Sequence, residues 1–116
     1  MVHINLAGRV DSLDYAICDR LLDLLTMSLP KITTSRIPSS AGRWTLRAPY
    51  IIQRYGFQVK NRDCNVLLWY DTGRLLSDDP HQFQETMYRL YGIKLDTSQA
   101  ELMLHIEANV EELRRG

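Results

Sequence analysis

Three polar residues that could bind an anion stand close together near the amino terminus, where a predicted strand gives way to a predicted helix: Arg9, Ser12 and Tyr15. The first turn of a helix offers free backbone N–H groups and the positive end of the helix dipole, which bind anions and lower the pKa of a thiol. A reactive cysteine at such a helix start would stand where this sequence has Ser12, and the negative charges of Asp11 and Asp14 would oppose a thiolate there. Ser12 also suits a helix N-cap, and Asp11 is a ready ion-pair partner for Arg9. We therefore expect structural roles here, with at most a vestigial ligand site.

The cysteines and histidines form no recognisable catalytic or metal-binding pattern. Cys18 and Cys64 lie far apart, outside any CxxC or Cys/His cluster, so we predict two reduced and separately packed thiols. Cys18 follows the predicted helix start by more than a turn and cannot use the N-terminal amides. His3, His81 and His105 share no ligand spacing. No metal site is predicted.

Cofactor chemistry finds no support in the sequence either. A dinucleotide site needs a glycine-rich turn between a strand and a helix, and the chain contains no GxGxxG. Ser12 could join a histidine and an aspartate in a triad on paper, but chance supplies such triples in most proteins. We predict a chain with no catalytic residues, no cofactor and no enzymatic activity.

Composition and net charge limit the kinds of molecule that this chain is expected to bind. The chain has 116 residues, 45% of them hydrophobic and 24% charged, which is typical of one globular domain. Basic and acidic residues both number 14, so no overall field attracts nucleic acid or anionic lipid. No run of 18 apolar residues and no secretory signal occurs, which argues against a membrane partner. We expect a cytoplasmic location and other proteins as partners.

Strand and helix signals alternate along the chain. The first helix carries a leucine-rich face and places Asp19, Arg20 and Asp23 on the opposite face, while Pro49 must either start or kink the second helix. Ser98 and Glu101 match a capping box at the start of the last helix. The predicted strands are His3–Ala7, Lys31–Ile37, Asn65–Tyr70 and Arg74–Leu76. The predicted helices run from a cap at Asp11 or Ser12 to about Ser28, from Trp44 to Tyr55, from about Pro80 to Tyr91 and from Thr97 or Ser98 onward.

This order predicts an α/β fold. A β-α-β-α-β-β-α succession is what a thioredoxin-like or glutaredoxin-like sheet requires, with helices on both faces, and a ferredoxin-like fold is the main alternative. The last helix is additional to that pattern. We therefore divide the chain into a thioredoxin-like domain, residues 1–95, and a C-terminal helical extension, residues 96–116.

The last helix carries an apolar stripe of Leu102, Ile106, Val110 and Leu113. The stripe must cover either the domain or another molecule, because four such side chains will not remain in water. If the preceding elements already close the core, the stripe is available to a partner. We predict that these four residues bind a partner protein.

A set of short motifs spread along the chain carries a family resemblance. They are Ala7-Gly8-Arg9, Asp11, Tyr15-Ala16, Leu29-Pro30, Trp44, Gly56-Phe57, Trp69, Phe83 and Tyr91-Gly92-Ile93. With these motifs the sequence resembles the N-terminal domain of the malate dehydrogenase 1B family, and the resemblance covers nearly the whole chain. It implies a glutaredoxin-like module that precedes a malate dehydrogenase-like portion, a portion absent from this chain, and occurrence in ciliated and flagellated cells.

The chain departs from that family where redox chemistry would lie. The family usually has a cysteine at the position of Ser12, and a Ser-Pro pair where this sequence has Asn65-Val66. Both departures remove redox features.

Two functional hypotheses follow. The first is a redox-inactive thioredoxin-like interaction module, which the resemblance places as a structural or adaptor subunit in a ciliary or flagellar axoneme. The second is a small glutathione-linked enzyme or ligand-binding protein that uses Arg9, Ser12 and Tyr15. Fold alone does not decide between them.

Overall fold

The computed structural model describes residues 2–115, which form four strands and four helices. The predicted order of elements is confirmed, with strand and helix ends shifted by a few residues. The first two strands run two residues beyond their predicted ends. The elements are β1 Val2–Arg9, α1 Leu13–Ser28, β2 Ile32–Ser39, α2 Ala41–Tyr55, β3 Val66–Tyr70, β4 Leu75–Ser77, α3 Pro80–Tyr91 and α4 Gln99–Arg115.

The strands form one mixed sheet in the order β2-β1-β3-β4. β1 runs parallel to β2, with Val2 opposite Ile32, and antiparallel to β3, with Leu6 opposite Leu68. β3 and β4 pair as an antiparallel hairpin. A parallel β-α-β unit joined to an antiparallel hairpin is the arrangement predicted for a thioredoxin-like fold, and the predicted α/β fold class is confirmed.

Helices cover both faces of the sheet because side chains of successive strand residues point to opposite faces. Ile4, Leu6 and Val66 belong to a core shared with α1 and α3. Ala7, Leu67 and Trp69 belong to a second core that packs against α2. The sheet thus lies between a layer with α1 and α3 and a layer with α2.

Proline and glycine determine several local features. β2 continues through Pro38, which is tolerated because β2 is an edge strand with one free side. α2 begins at Ala41 and runs through Pro49, so this proline does not start the helix. Gly56 and Gly92 end α2 and α3 in the left-handed conformation that glycine adopts most easily.

α4 packs against the rest of the fold. It lies alongside α1, and its start is capped by the Ser98 hydroxyl, which accepts a hydrogen bond from the backbone N–H of Glu101 at 3.2 Å. Val110 and Leu113 contact the core on the α1 side of the sheet. The segment assigned to a separate extension therefore docks on the domain and does not project from it.

Candidate functional site

The Ser12 hydroxyl is engaged by backbone at the start of α1. Its Oγ accepts a hydrogen bond from the backbone N–H of Tyr15 at 3.1 Å and donates one to the carbonyl of Arg9 at 2.6 Å. Ser12 itself has an extended backbone conformation, as an N-cap requires. The residue at the thiol position of a thioredoxin-like fold thus fixes the junction of β1 and α1.

Arg9 turns toward a neighbouring carboxylate. Its Nε lies 2.5 Å from Oδ1 of Asp11, and a second guanidinium nitrogen donates to the other carboxylate oxygen at 3.2 Å. This hydrogen bond and the negative charge of Asp11 raise the pKa of Arg9. Both side chains are well exposed. The guanidinium that could have held an anion is therefore already neutralised within the chain.

Tyr15 is a core residue. A Cβ atom added to Gly8 would lie 2.6 Å from Cδ2 of the Tyr15 ring and 2.8 Å from the carbonyl oxygen of Asn65. Only glycine at position 8 leaves room for this contact. Burial raises the pKa of Tyr15 because the charged phenolate is disfavoured in the core. Arg9, Ser12 and Tyr15 are thus engaged by an ion pair, by a helix cap and by core packing, respectively.

Neither cysteine has the environment of a reactive thiol. Cys18 lies on the buried face of α1, and burial raises its pKa well above the ordinary value. Burial also raises the pKa of Cys64 to about 11. Both cysteines are free. Since the thiolate is the nucleophile, both side chains are poor nucleophiles at neutral pH.

The apolar stripe of α4 is used inside the domain. Leu102 is buried, Val110 and Leu113 contact the α1 core, and Ile106 is half-buried. The preceding elements leave the α1 side of the sheet incompletely covered, and α4 completes it. The predicted partner-binding surface of Leu102, Ile106, Val110 and Leu113 is thus a packing face of the domain.

A polar network between α1, β2 and α4 was missed by the sequence analysis. Asp19, expected on the solvent face of α1, is buried, and its Oδ1 accepts from Nε of Arg36 at 2.7 Å. Its Oδ2 lies 2.7 Å from Nε2 of His105 and accepts from Nδ2 of Asn109 at 3.3 Å. Arg36 also donates to Asp23 at 3.0 Å. These partners are 13 to 90 residues apart, so no local sequence signal reveals them.

This network borders a cleft of about 290 Å³ between the end of β2 and the C-terminal half of α4. Asp19, Arg36 and Asn109 line one part of it, and Tyr15, Pro38 and Leu113 line another. The polar groups of the network satisfy one another, so the cleft offers an incoming ligand few unpaired polar groups. The side chains of the network join α4 to α1 and to the sheet.

A cluster of acidic residues near the start of α1 is also accounted for by structure. Asp78 is buried and accepts hydrogen bonds from the backbone N–H groups of Lys60 at 2.8 Å and Asn61 at 3.4 Å. Asp14 accepts from the side chain of Asn65 at 3.2 Å. These carboxylates hold the loop between α2 and β3. Within residues 2–115, no three His, Cys, Asp or Glu side chains are grouped in a way that could hold a metal ion.

No protein-family model matches the sequence, and the search of curated proteins found no significant match. The resemblance to the malate dehydrogenase 1B family therefore stays a prediction. Across residues 2–115, no helix combines the length and the apolar character needed to cross a lipid bilayer.

Proposed function

We propose that this protein is a redox-inactive thioredoxin-like module that functions by binding other proteins. The observation that carries the proposal is the state of Ser12, whose hydroxyl caps α1 and bonds to the backbone of Arg9 and Tyr15. A thioredoxin-like enzyme needs a thiolate at this point, where the helix dipole lowers the pKa of the nucleophile. Here the position serves the fold.

The two thiols support the same proposal. Cys18 lies on the buried face of α1, away from solvent and beyond the first turn with its free N–H groups. Its raised pKa keeps it protonated at neutral pH, and the same holds for Cys64. A thiol-disulfide exchange reaction would need one of them exposed as thiolate.

The partner class and location come from the sequence resemblance. We propose a structural or adaptor subunit of a ciliary or flagellar axonemal complex, because the malate dehydrogenase 1B family, which this sequence resembles, occurs in ciliated and flagellated cells. A balanced net charge fits a protein partner better than nucleic acid. Exposed large apolar side chains such as Leu46 and Tyr50 on α2 provide contact area for such a partner.

The glutathione-linked alternative is less well supported. The guanidinium of Arg9 is paired with Asp11, and the phenol of Tyr15 is buried, so neither is free to bind a tripeptide carboxylate. Titration calorimetry with reduced glutathione tests this alternative directly. We expect no binding heat, and saturable binding that is lost in Arg9→Ala would favour the alternative.

A two-part experiment tests the proposal. The purified protein is assayed for reduction of a disulfide peptide by dithiothreitol, with Cys18→Ala and Cys64→Ala variants as matched controls. We expect the uncatalysed rate in all three samples, whereas turnover that disappears in Cys18→Ala would overturn the redox-inactive part. Co-purification of the tagged protein from ciliated cells tests the interaction part. Recovery of the chain alone, with no stoichiometric axonemal protein, would contradict it.

A further inference from the structure

The outward side of α2 carries a basic and apolar surface that the fold does not use. It consists of Arg43, Leu46, Arg47, Tyr50 and Arg54, which we call the α2 surface. These positions follow helical spacing and lie on one side of the helix, next to the face that buries Trp44, Ala48, Ile51 and Ile52. Leu46 is 78% exposed and Tyr50 is 62% exposed. Large side chains of this kind are rarely left in solvent side by side without a role.

Positive charge on this surface is concentrated and uncompensated. α2 contains three arginines and no aspartate or glutamate, on a chain whose net charge is zero. Across residues 2–115, no carboxylate lies within ion-pair distance of Arg43, Arg47 or Arg54. By contrast, the half-buried arginine of β2, Arg36, has two aspartate partners.

Two clefts extend the α2 surface on either side of Arg47. One, of about 400 Å³, is lined by Ser39, Ser40, Arg43 and Arg114 as well as Arg47. The other, of about 350 Å³, is lined by Ile37, Tyr50, Arg54, Tyr55 and Trp69 as well as Arg47. Neither cleft is lined by an acidic residue. Together they form one continuous basic and aromatic surface that contains four arginines.

Two of these arginines, Arg47 and Arg54, are held by neutral groups in positions from which they can donate hydrogen bonds to carboxylates. The guanidinium of Arg47 donates a hydrogen bond to the Ser39 hydroxyl at 2.6 Å, and this bond holds the guanidinium between the two clefts. Arg54 lies 5.8 Å from the ring centroid of Tyr55 and within hydrogen-bond reach of the Tyr50 hydroxyl. Neutral partners of this kind orient a guanidinium without neutralising it, so its charge stays available for a carboxylate.

We propose, on the basis of the protein-binding function proposed above, that the α2 surface docks an acidic segment of a partner protein that also carries apolar side chains. Carboxylates of the segment pair with Arg43, Arg47 and Arg54, while its apolar side chains pack on Leu46 and Tyr50. Arg43 and Arg54 are eleven residues apart, about 16 Å along the helix, which an extended segment of about five residues spans. Arginine and tyrosine are the residues that most often dominate binding energy at protein interfaces.

Single-stranded nucleic acid fits the surface less well. Proteins that bind single-stranded nucleic acid offer exposed aromatic side chains on which successive bases stack. Trp69, the largest ring bordering the clefts, is only 4% exposed. Leu46 contributes an aliphatic contact that favours a peptide. Nucleic acid therefore enters the test below as a competing outcome.

The test measures binding of a fluorescein-labelled peptide built from Glu-Glu-Leu repeats to the full chain by fluorescence anisotropy. The surface variant is Arg43→Glu with Arg54→Glu, two exposed side chains outside the cores. The matched control is Arg20→Glu with Arg89→Glu, which makes the same change in net charge on exposed positions of α1 and α3. Equal melting temperatures of all three proteins establish that the fold is intact.

We expect saturable binding to the wild type, weakened about tenfold or more in the surface variant and less than about twofold in the control variant. Binding should fall as salt concentration rises, because exposed charge pairs are screened. The inference is overturned if the peptide does not bind, if both variants bind equally, if the matching Gln-Gln-Leu peptide binds as tightly, or if an oligothymidylate binds more tightly. A partner recovered from ciliated cells equally well by the wild type and the surface variant would sink this inference and leave the proposed function standing.

Discussion

Nε2 of His105 on α4 lies 2.7 Å from Oδ2 of Asp19 on α1, although the two residues are 86 positions apart in the chain. The same carboxylate is held by Arg36 from β2 through its other oxygen. Asp19 thus accepts hydrogen bonds from an edge strand and lies against the last helix, so it links both to α1.

Asp19 should therefore matter more than any other carboxylate in the chain. Asp19→Ala leaves Arg36 and His105 without their common partner, and we expect a loss of about 2–4 kcal/mol in the free energy of unfolding. Urea denaturation measures this loss, and hydrogen exchange should show α4 opening first. Asp11→Ala, which breaks the exposed pair with Arg9, is the matched control and should cost about 0–1 kcal/mol. Equal losses in the two variants would contradict this account of the network.

The half-buried stripe of α4 gives a second prediction. Ile106→Ser combined with Val110→Ser should lower the free energy of unfolding by about 2–4 kcal/mol, because both changes place a hydroxyl where apolar side chains pack. For a domain of this size that corresponds to a fall of roughly 8–16 °C in melting temperature. The control is Met103→Ser with Leu104→Ser, two exposed positions of the same helix, which should change it little. An unchanged melting temperature in the first variant would restore the stripe as a candidate partner surface.

Gly8 and Gly42 form a matched pair for a third prediction. Gly8→Ala forces a methyl group against the Tyr15 ring and the Asn65 carbonyl, and we expect a destabilisation of about 2 kcal/mol or more. A Cβ on Gly42 meets no atom within 4 Å, and this residue lies in α2, so Gly42→Ala should stabilise by about 0.5–1 kcal/mol. Melting curves of the two variants should move in opposite directions. A tolerated Gly8→Ala would show that the Tyr15 ring has another position available.

Ser12 provides a fourth prediction. Ser12→Ala removes the N-cap of α1 and should cost about 1 kcal/mol, measured by urea denaturation. Ser12→Cys should give a thiol whose pKa is below the ordinary value of about 8.5, since it faces the free N–H groups of the first helical turn. The pH dependence of alkylation by iodoacetamide measures this pKa. A value at or above that of free cysteine would mean that Asp11 and Asp14 outweigh the helix terminus.

The buried Cys64 thiol predicts a decline of stability in alkaline solution. Its pKa is raised by burial from an ordinary value near 9 to about 11, so the folded chain resists ionisation that the unfolded chain undergoes. The stability that comes from the neutral thiol is complete below pH 9 and is lost as the pH rises toward about 11. We expect a loss on the order of 1 kcal/mol between these limits, measured by urea denaturation at each pH. Cys64→Ala should show a smaller decline, and an equal decline in both proteins would assign the effect to other groups.

The sequence by itself determined the elements and their order. Short apolar runs marked β1 and β3, while Ser12, Pro80 and Gly92 marked helix ends, because capping and left-handed turns depend on a few neighbouring residues. The same local reasoning identified Ser12 as an N-cap and Asp11 as the partner of Arg9. Interactions over two or three residues are fixed by residue type and spacing alone.

Only the tertiary structure decided which faces are used. The α4 stripe has the same pattern whether it covers its own domain or a partner, and the packing of Val110 and Leu113 against the α1 core selects the first. The helical pattern alone places Asp19 on the solvent face of α1. In the structure it is buried and contacts Arg36 of β2 and His105 of α4. In the same way, the α2 surface becomes distinctive only once Trp44 and Ile51 are buried on the neighbouring face of the helix, leaving its arginines without carboxylates. Burial and charge pairing depend on contacts between residues distant in the chain, and periodicity within one helix cannot supply them.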